Sequence, residues 1–403
     1  MLNDFCSFLE NSPTTYHASK EIIHRLSKSG FHQIHEKNSW QLEPGKGYWL
    51  LRDDALLVAF RMPNKKPQGT ILLASHLDSP ALKLKPQPLI FSSDIGQVGV
   101  ETYGGPLLYT WFDRDLAIAG RVWSEKGSEL LFLTDTPLII PSIAIHLNRE
   151  VNEKGFQINK QDHLRAIFTT SNKEIPQLKD VKAADLFLVP TEKPAFLGID
   201  QEFFASYRLD NLTSAFASLQ ALLQTKALEE TVQMAIFWEH EEIGSKTFLG
   251  ADSLFMDQVL ERLVAMDREA LYRLKARSFC LSCDVGHGYH PNYTEKFDPQ
   301  NASYIGKGPV IKFSSKYATN GSSAHRILSL ASQKKIPTQT YASRSDLSCG
   351  STVGSLMGAN LGIATVDLGI CCWAMHSTRE TISVQDQNRL EQLLKAALEH
   401  ESL

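Results

Sequence analysis

The chain has few of the features that would point to a secreted, membrane-bound or nucleic-acid-binding protein. It holds six cysteines in 403 residues, at positions 6, 280, 283, 349, 371 and 372, too few and too unevenly spread for a disulfide framework. That usage fits a reducing compartment, and a cytoplasmic location is expected. No apolar run approaches the roughly 18–20 residues needed to cross a bilayer, so no membrane partner is expected. The first residues, MLNDFCSFLENSPTTYH, show neither a basic start nor a long apolar stretch, which argues against a secretory signal. Positive charge is not in excess: 41 Lys and Arg against 45 Asp and Glu give a net charge of −4, so no nucleic-acid partner is expected. Internal repeats and low-complexity tracts are missing too. Cys280 and Cys283 have CxxC spacing, but no second Cys or His pair completes a zinc knuckle. They read as buried packing thiols in an apolar run.

What is present describes an ordinary globular protein, 43% hydrophobic and 21% charged, long enough for two domains. Spacing predicts an amphipathic helix over Tyr16–Lys28, ending near Gly30, and a hairpin over Tyr48–Arg61 turning at Arg52-Asp53-Asp54. Thr70–Ser75 (TILLAS) is apolar without alternation, as in a strand buried on both faces. Between about Lys83 and Tyr207, prolines at 86, 88, 106, 137, 141, 176, 190 and 194 punctuate short strand-like runs. From Asp210 helical and strand patterns alternate: helix in LTSAFASLQALLQ, strand in VQMAIFW, helix in ADSLFMDQVLERLVAMD, strand in SFCLSCDV. A helix near Ser322–Ser332, a strand in NLGIATVDLG and a helix over about Val384–His400 follow. Alternation of this kind predicts an α/β fold, an α/β/α domain with a mostly parallel core sheet. It is expected in two pieces, 1–83 and 208–403, interrupted by a β-rich insertion over 84–207.

The chemistry gathers at the ends of the apolar runs. TILLAS leads into His76-Leu77-Asp78, and VQMAIFW into Glu239-His240-Glu241-Glu242. SFCLSC leads into Asp284, with His287 and His290 behind, and the last strand pattern leads to His376. Asp210 stands just before the helix LTSAFASLQALL. Each residue alone has an ordinary reading: an N-cap for Asp210, a packed histidine for His376, a solvated face for the Glu pair. In open α/β sheets, however, the carboxyl ends of the strands form one functional rim. His76, Asp210, Glu242, Asp284 and His376 offer two imidazoles and three carboxylates, a donor set suited to zinc and also to manganese or cobalt. If one carboxylate bridges, five ligands supply three to each of two ions, a pair that can activate water and clamp a tetrahedral intermediate. Asp78, two residues after His76, can lie on its side of an extended segment and orient it. Glu241, beside a ligand, is placed to act as general base. Glu239 and His240 receive no role.

The segments SHLDSP, YTWFDRDLAIAGRV, IPSIAIHLNREVN, RLDNL, EHEEIGS, CDVGHGYHPNY, KGPVIKFSSKYATN and WAMHSTRE, in this order from about His76 to Glu380, resemble the aspartyl aminopeptidases, a family of zinc peptidases. The resemblance implies a dinuclear zinc exopeptidase fold, an inserted dimerisation domain and a tetrahedral dodecamer built from dimers. It implies that Asp210 bridges, that His76 and Asp284 hold one ion and Glu242 and His376 the other, with Glu241 as base. It also implies that His287 supports the developing oxyanion, that Lys312 lies near the pocket for an acidic side chain, and that His146 reaches a neighbouring subunit's active site. Cys371-Cys372 is a local oddity without a functional reading.

The expected activity is therefore removal of acidic N-terminal residues, Asp or Glu, from peptides. An aminopeptidase of other specificity or an N-acyl amino acid hydrolase is the alternative enzyme, and a metal-stabilised scaffold the alternative non-enzyme. A serine hydrolase is disfavoured, because the run GSTVG at 350–354 places serine off the centre of GxSxG.

Overall fold

The computed structural model describes residues 2–347 and 349–402. Its architecture is α/β, organised by a nine-stranded sheet. The four strands that matter for function lie side by side and parallel: Thr231–Trp238, Gly69–His76, Phe279–Cys283 and Ala364–Gly369. Their register places Trp238 opposite His76 and Cys283 opposite Leu368, so all four chains leave the sheet along one rim.

These strands lack polar alternation because both faces are covered. Ile71 and Leu73 face one apolar cluster with Leu212, Phe216, Ile327, Leu390 and Leu394, from the helices Leu209–Gln224, Gly321–Gln333 and Val384–Leu398. Leu72 and Ala74 face the other, with Val259, Leu271 and Met357 from helices Phe255–Leu263, Arg268–Ala276 and Val353–Leu361. The predicted first and last helices are found as Thr15–Lys28 and Val384–Leu398, and the hairpin as Gly47–Arg52 and Leu56–Arg61.

Two elements differ from the sequence reading. The helix expected over 251–267 spans only Phe255–Leu263, because Ala265 and Met266 adopt left-handed backbone and Asp267 caps a second helix by accepting the Ala270 N–H. The strand expected in NLGIATVDLG starts late: the helix Val353–Leu361 runs into it and stops at left-handed Gly362.

A six-stranded antiparallel sheet is built from Gly127–Leu138, Leu116–Ser124, Ala183–Pro190, Ala81–Ser92, Ile95–Tyr103 and Ala166–Thr169. A five-stranded sheet joins Ala195–Leu197 and Phe203–Ser206 to Glu380–Ser383, Cys371–Trp373 and Gly286–His287. Among the described residues no helix is long and apolar enough to cross a membrane.

Candidate metal centre

Each strand end delivers its polar residue to the same place. His76 closes its strand and is 1% exposed; its Nε2 lies 3.4 Å from Asp210 Oδ1 and 3.6 Å from Asp284 Oδ1. His376 Nε2 lies 3.3 Å from Asp210 Oδ2 and 3.5 Å from Glu242 Oε1. Three metal-type groups result among the described residues, His76–Asp210–Asp284, Asp210–Glu242–His376 and His76–Glu241–Glu242, and Asp210 belongs to the first two, one oxygen turned to each. The peptide following Asp210 is cis, and residues 210 and 211 leave helical geometry at the start of Leu209–Gln224.

Small residues make room for this convergence. A Cβ on Gly104, which has φ +68°, would stand 3.1 Å from Glu242 Cβ. One on Gly369 would fall 1.7 Å from the Asp284 carbonyl oxygen, so the neighbouring strand can close on Asp284 only without a side chain. His376 Nδ1 meets the carbonyl of Gly105 at 3.1 Å, which leaves Nε2 for the cluster.

Asp78 organises one side of the centre. Its Oδ1 accepts the Glu241 N–H at 3.1 Å, and its Oδ2 accepts the Glu242 N–H at 3.0 Å and the Tyr103 hydroxyl at 2.8 Å. His76 Nδ1 sits 3.0 Å from the Asp78 carbonyl oxygen and 3.4 Å from Oδ1. Glu239, unassigned from sequence, is buried and accepts a hydrogen bond from Thr15 Oγ1. His240 has left-handed backbone and bonds Thr247 Oγ1 at 2.7 Å. Both therefore shape the turn that presents Glu241 and Glu242.

The electrostatics show what the cluster requires. Burial pulls the His76 imidazole down, but Asp210, Asp284 and Asp78 outweigh it and raise its pKa. Burial also opposes the charge of Asp210, yet His376 and His76 hold its carboxyl below the usual range. Burial, reinforced by Asp284, Asp78 and Asp210, pushes Glu241 up to about 8, and burial with Asp210 pushes Glu242 up. Two histidines thus cannot balance this many carboxylates. Among the described residues, Asp210 Oδ1 and Asp284 Oδ1 are buried without a hydrogen-bond partner. Lone pairs orphaned in this way, on nitrogen and oxygen donors of borderline to hard character, fit divalent cations.

The remaining predicted residues divide. His287 lines a cleft of about 400 Å³ together with His376, Lys296, Phe297, Arg344 and Trp373. Lys312 is not among its lining residues: it is 2% exposed, donates from Nζ to the Val285 carbonyl at 2.7 Å, and stands 3.6 Å from Asp284 Oδ2. His146 sits on an exposed turn, Ile145–Leu147, and belongs to none of the three metal-type groups and not to the cleft lining. The residues that sequence reasoning missed are Tyr103 and Glu380, which hold the site through hydrogen bonds. Glu380 lies in the segment WAMHSTRE, but acceptance of main-chain N–H groups leaves no mark in a sequence.

Comparison with known proteins agrees with this geometry. The family model described as aminopeptidase I zinc metalloprotease (M18) matches residues 8–182 and 173–397. The chain belongs to the M18 family. It is 37% identical over 419 residues to a probable M18 family aminopeptidase 2 of Pseudomonas savastanoi pv. phaseolicola, covering 98% of this chain and 97% of that one. Among solved structures, Ape4 in its complex with Nbr1 superposes with a TM-score of 0.93 at 32% identity, over 98% of this chain and 85% of that one. The S. cerevisiae mApe1 dodecamer superposes with a TM-score of 0.85 at 25% identity, over 99% and 96%. As an M18 protein, this chain is a metallo-aminopeptidase of a zinc-dependent family, and the α/β architecture is the family's own.

Proposed function

We propose that this M18 aminopeptidase works with two zinc ions and releases acidic residues, Asp or Glu, from peptide N-termini. The observation that carries the two-ion reading is the placement of Asp210, whose two oxygens serve two separate ligand groups. His76 and Asp284 would complete one site, Glu242 and His376 the other. Ions bound there supply Lewis acidity, polarising the scissile carbonyl and acidifying water.

The chain's own residues carry the rest. Glu241 takes a proton from the attacking water and returns it to the departing amine. Asp78 fixes that base through its main-chain N–H and orients His76. His287, on the cleft beside His376, donates to the oxygen that gains charge. Acidic preference is supported by Lys296 and Arg344 on the cleft and by Lys312 behind Asp284. The apolar segment holding Ile143, Ile145 and Leu147, which are 53%, 46% and 77% exposed, supports assembly with further copies of the chain. With a relative that is a dodecamer, we take a dodecamer here as well, and propose that it is a tetrahedral assembly of dimers, with 84–207 as the dimerisation insert and His146 reaching a neighbouring active site.

A panel of peptides beginning with Asp, Glu, Leu or an acetylated residue, assayed after chelation and refilling with zinc, manganese or cobalt, tests the reading. Faster turnover of Asp and Glu substrates is expected. Preference for Leu or for acetylated substrates would refute the acidic specificity.

A further inference from the structure

The geometry points to Glu380 as a positioning residue that sets the distance between Asp210 and His376 by holding both of their main chains. Glu380 is 1% exposed and begins the strand Glu380–Ser383. Its Oε2 accepts the Asp210 N–H at 2.9 Å, and its Oε1 accepts the His376 N–H at 2.6 Å. The strand that carries it pairs on one side with Phe203–Ser206, which leads to Asp210, and on the other with Cys371–Trp373, which leads to His376. One carboxylate thus ties together two chain segments whose side chains meet at 3.3 Å in the same metal-type group.

The main chain at both points is irregular. Asp210 has φ −81° and ψ 104°, and His376 has φ +68°. Neither residue belongs to a pair in the strand ladders, so Glu380 is the acceptor for both N–H groups. Both oxygens are used, and only a carboxylate has two acceptors on one planar group. Glutamine of the same size must turn an NH2 toward one of the two N–H groups. On the opposite side of the centre, Asp78 does the same for Glu241 and Glu242, one oxygen to each N–H.

This inference rests on the two-ion reading, and its test separates the two. Chelator-stripped wild type, Glu380→Gln and Glu380→Ala are titrated with zinc by calorimetry, and their cobalt forms compared by visible absorption. Wild type is expected to bind two ions. Glu380→Gln should weaken the site of Asp210, Glu242 and His376 about tenfold to a hundredfold and alter the cobalt spectrum, with a smaller loss at the other site, which shares Asp210. In the zinc form it should lower kcat with little change in KM. Glu380→Ala should weaken the same site further; because it removes both acceptors and can impair folding, the isosteric variant decides. Glu380→Gln that is less stable but binds both ions with wild-type affinity and spectrum overturns the positioning role. A shortfall in the wild type itself, with fewer than two ions bound, overturns the two-ion reading first and this inference with it.

Discussion

Replacing Asp78 by asparagine keeps the volume and removes one acceptor from the most connected side chain beside the centre. If the new amide nitrogen takes the Oδ1 position, it faces the Glu241 N–H, accepted at 3.1 Å by the carboxylate, and His76 Nδ1 at 3.4 Å. If it takes the Oδ2 position, it faces the Glu242 N–H at 3.0 Å, and the Tyr103 hydroxyl at 2.8 Å must turn to accept. Either way, one main-chain N–H loses a carboxylate acceptor in a buried place. A hydrogen bond to a charged group contributes about 1.5–3 kcal/mol, and a buried donor left unpaired costs about 1–3 kcal/mol. Asp78→Asn should therefore destabilise the fold by about 2–4 kcal/mol, less whatever the turn recovers by shifting. Because that turn carries the proposed base and a proposed metal ligand, kcat on an N-terminal aspartyl peptide should fall about tenfold to a hundredfold. Urea unfolding of the chelator-stripped protein reads the first effect, and steady-state kinetics of the zinc form reads the second. A variant with wild-type unfolding midpoint and wild-type kcat would show that the turn holds itself, and the reasoning would fail.

Glu241→Gln should retain bound zinc and lose at least about a hundredfold in kcat, the usual scale of acid–base catalysis; near-normal turnover would remove Glu241 from the mechanism. Asp210→Ala should lower the zinc content measured by atomic absorption, and two ions retained per chain would defeat the bridging role. His17, bonded to Thr14 Oγ1 at 2.8 Å, is lowered to about 4 by burial, with Arg208 and Lys20 adding to the effect. The folded chain therefore binds this proton less tightly than the unfolded chain does. Its contribution to stability is complete above about 6.5 and is lost as pH falls toward 4. The melting temperature of His17→Gln should fall less between pH 7 and pH 5 than that of the wild type, and equal slopes would refute this account.

The sequence by itself determined the elements that carry the chemistry. Uninterrupted apolar runs such as TILLAS and VQMAIFW can be stable only between two helical layers. The polar residues at their ends then fall on one rim, because parallel strands all point the same way. The donor types alone name the chemistry, and long segments carry the family resemblance. Element ends were harder to read. Left-handed Ala265 and Met266 split what periodicity reads as one helix, since a pattern of apolar residues does not register where the backbone turns.

Tertiary structure alone decided the rest. Asp210 bridges only if its two oxygens face different clusters, which depends on the angle at which its chain leaves the strand. The resemblance puts Lys312 near the pocket, but only the fold shows what its ammonium meets, the Val285 carbonyl and Asp284 Oδ2. The strand Phe203–Ser206 pairs with Glu380–Ser383, a partnership across almost half of the chain that no local pattern contains. That pairing brings Glu380 to Asp210 and His376. Local sequence sets what each residue can bind. Long-range register sets what it meets, because hydrogen bonds and ligand contacts depend on distances of a few ångströms between segments far apart in the chain.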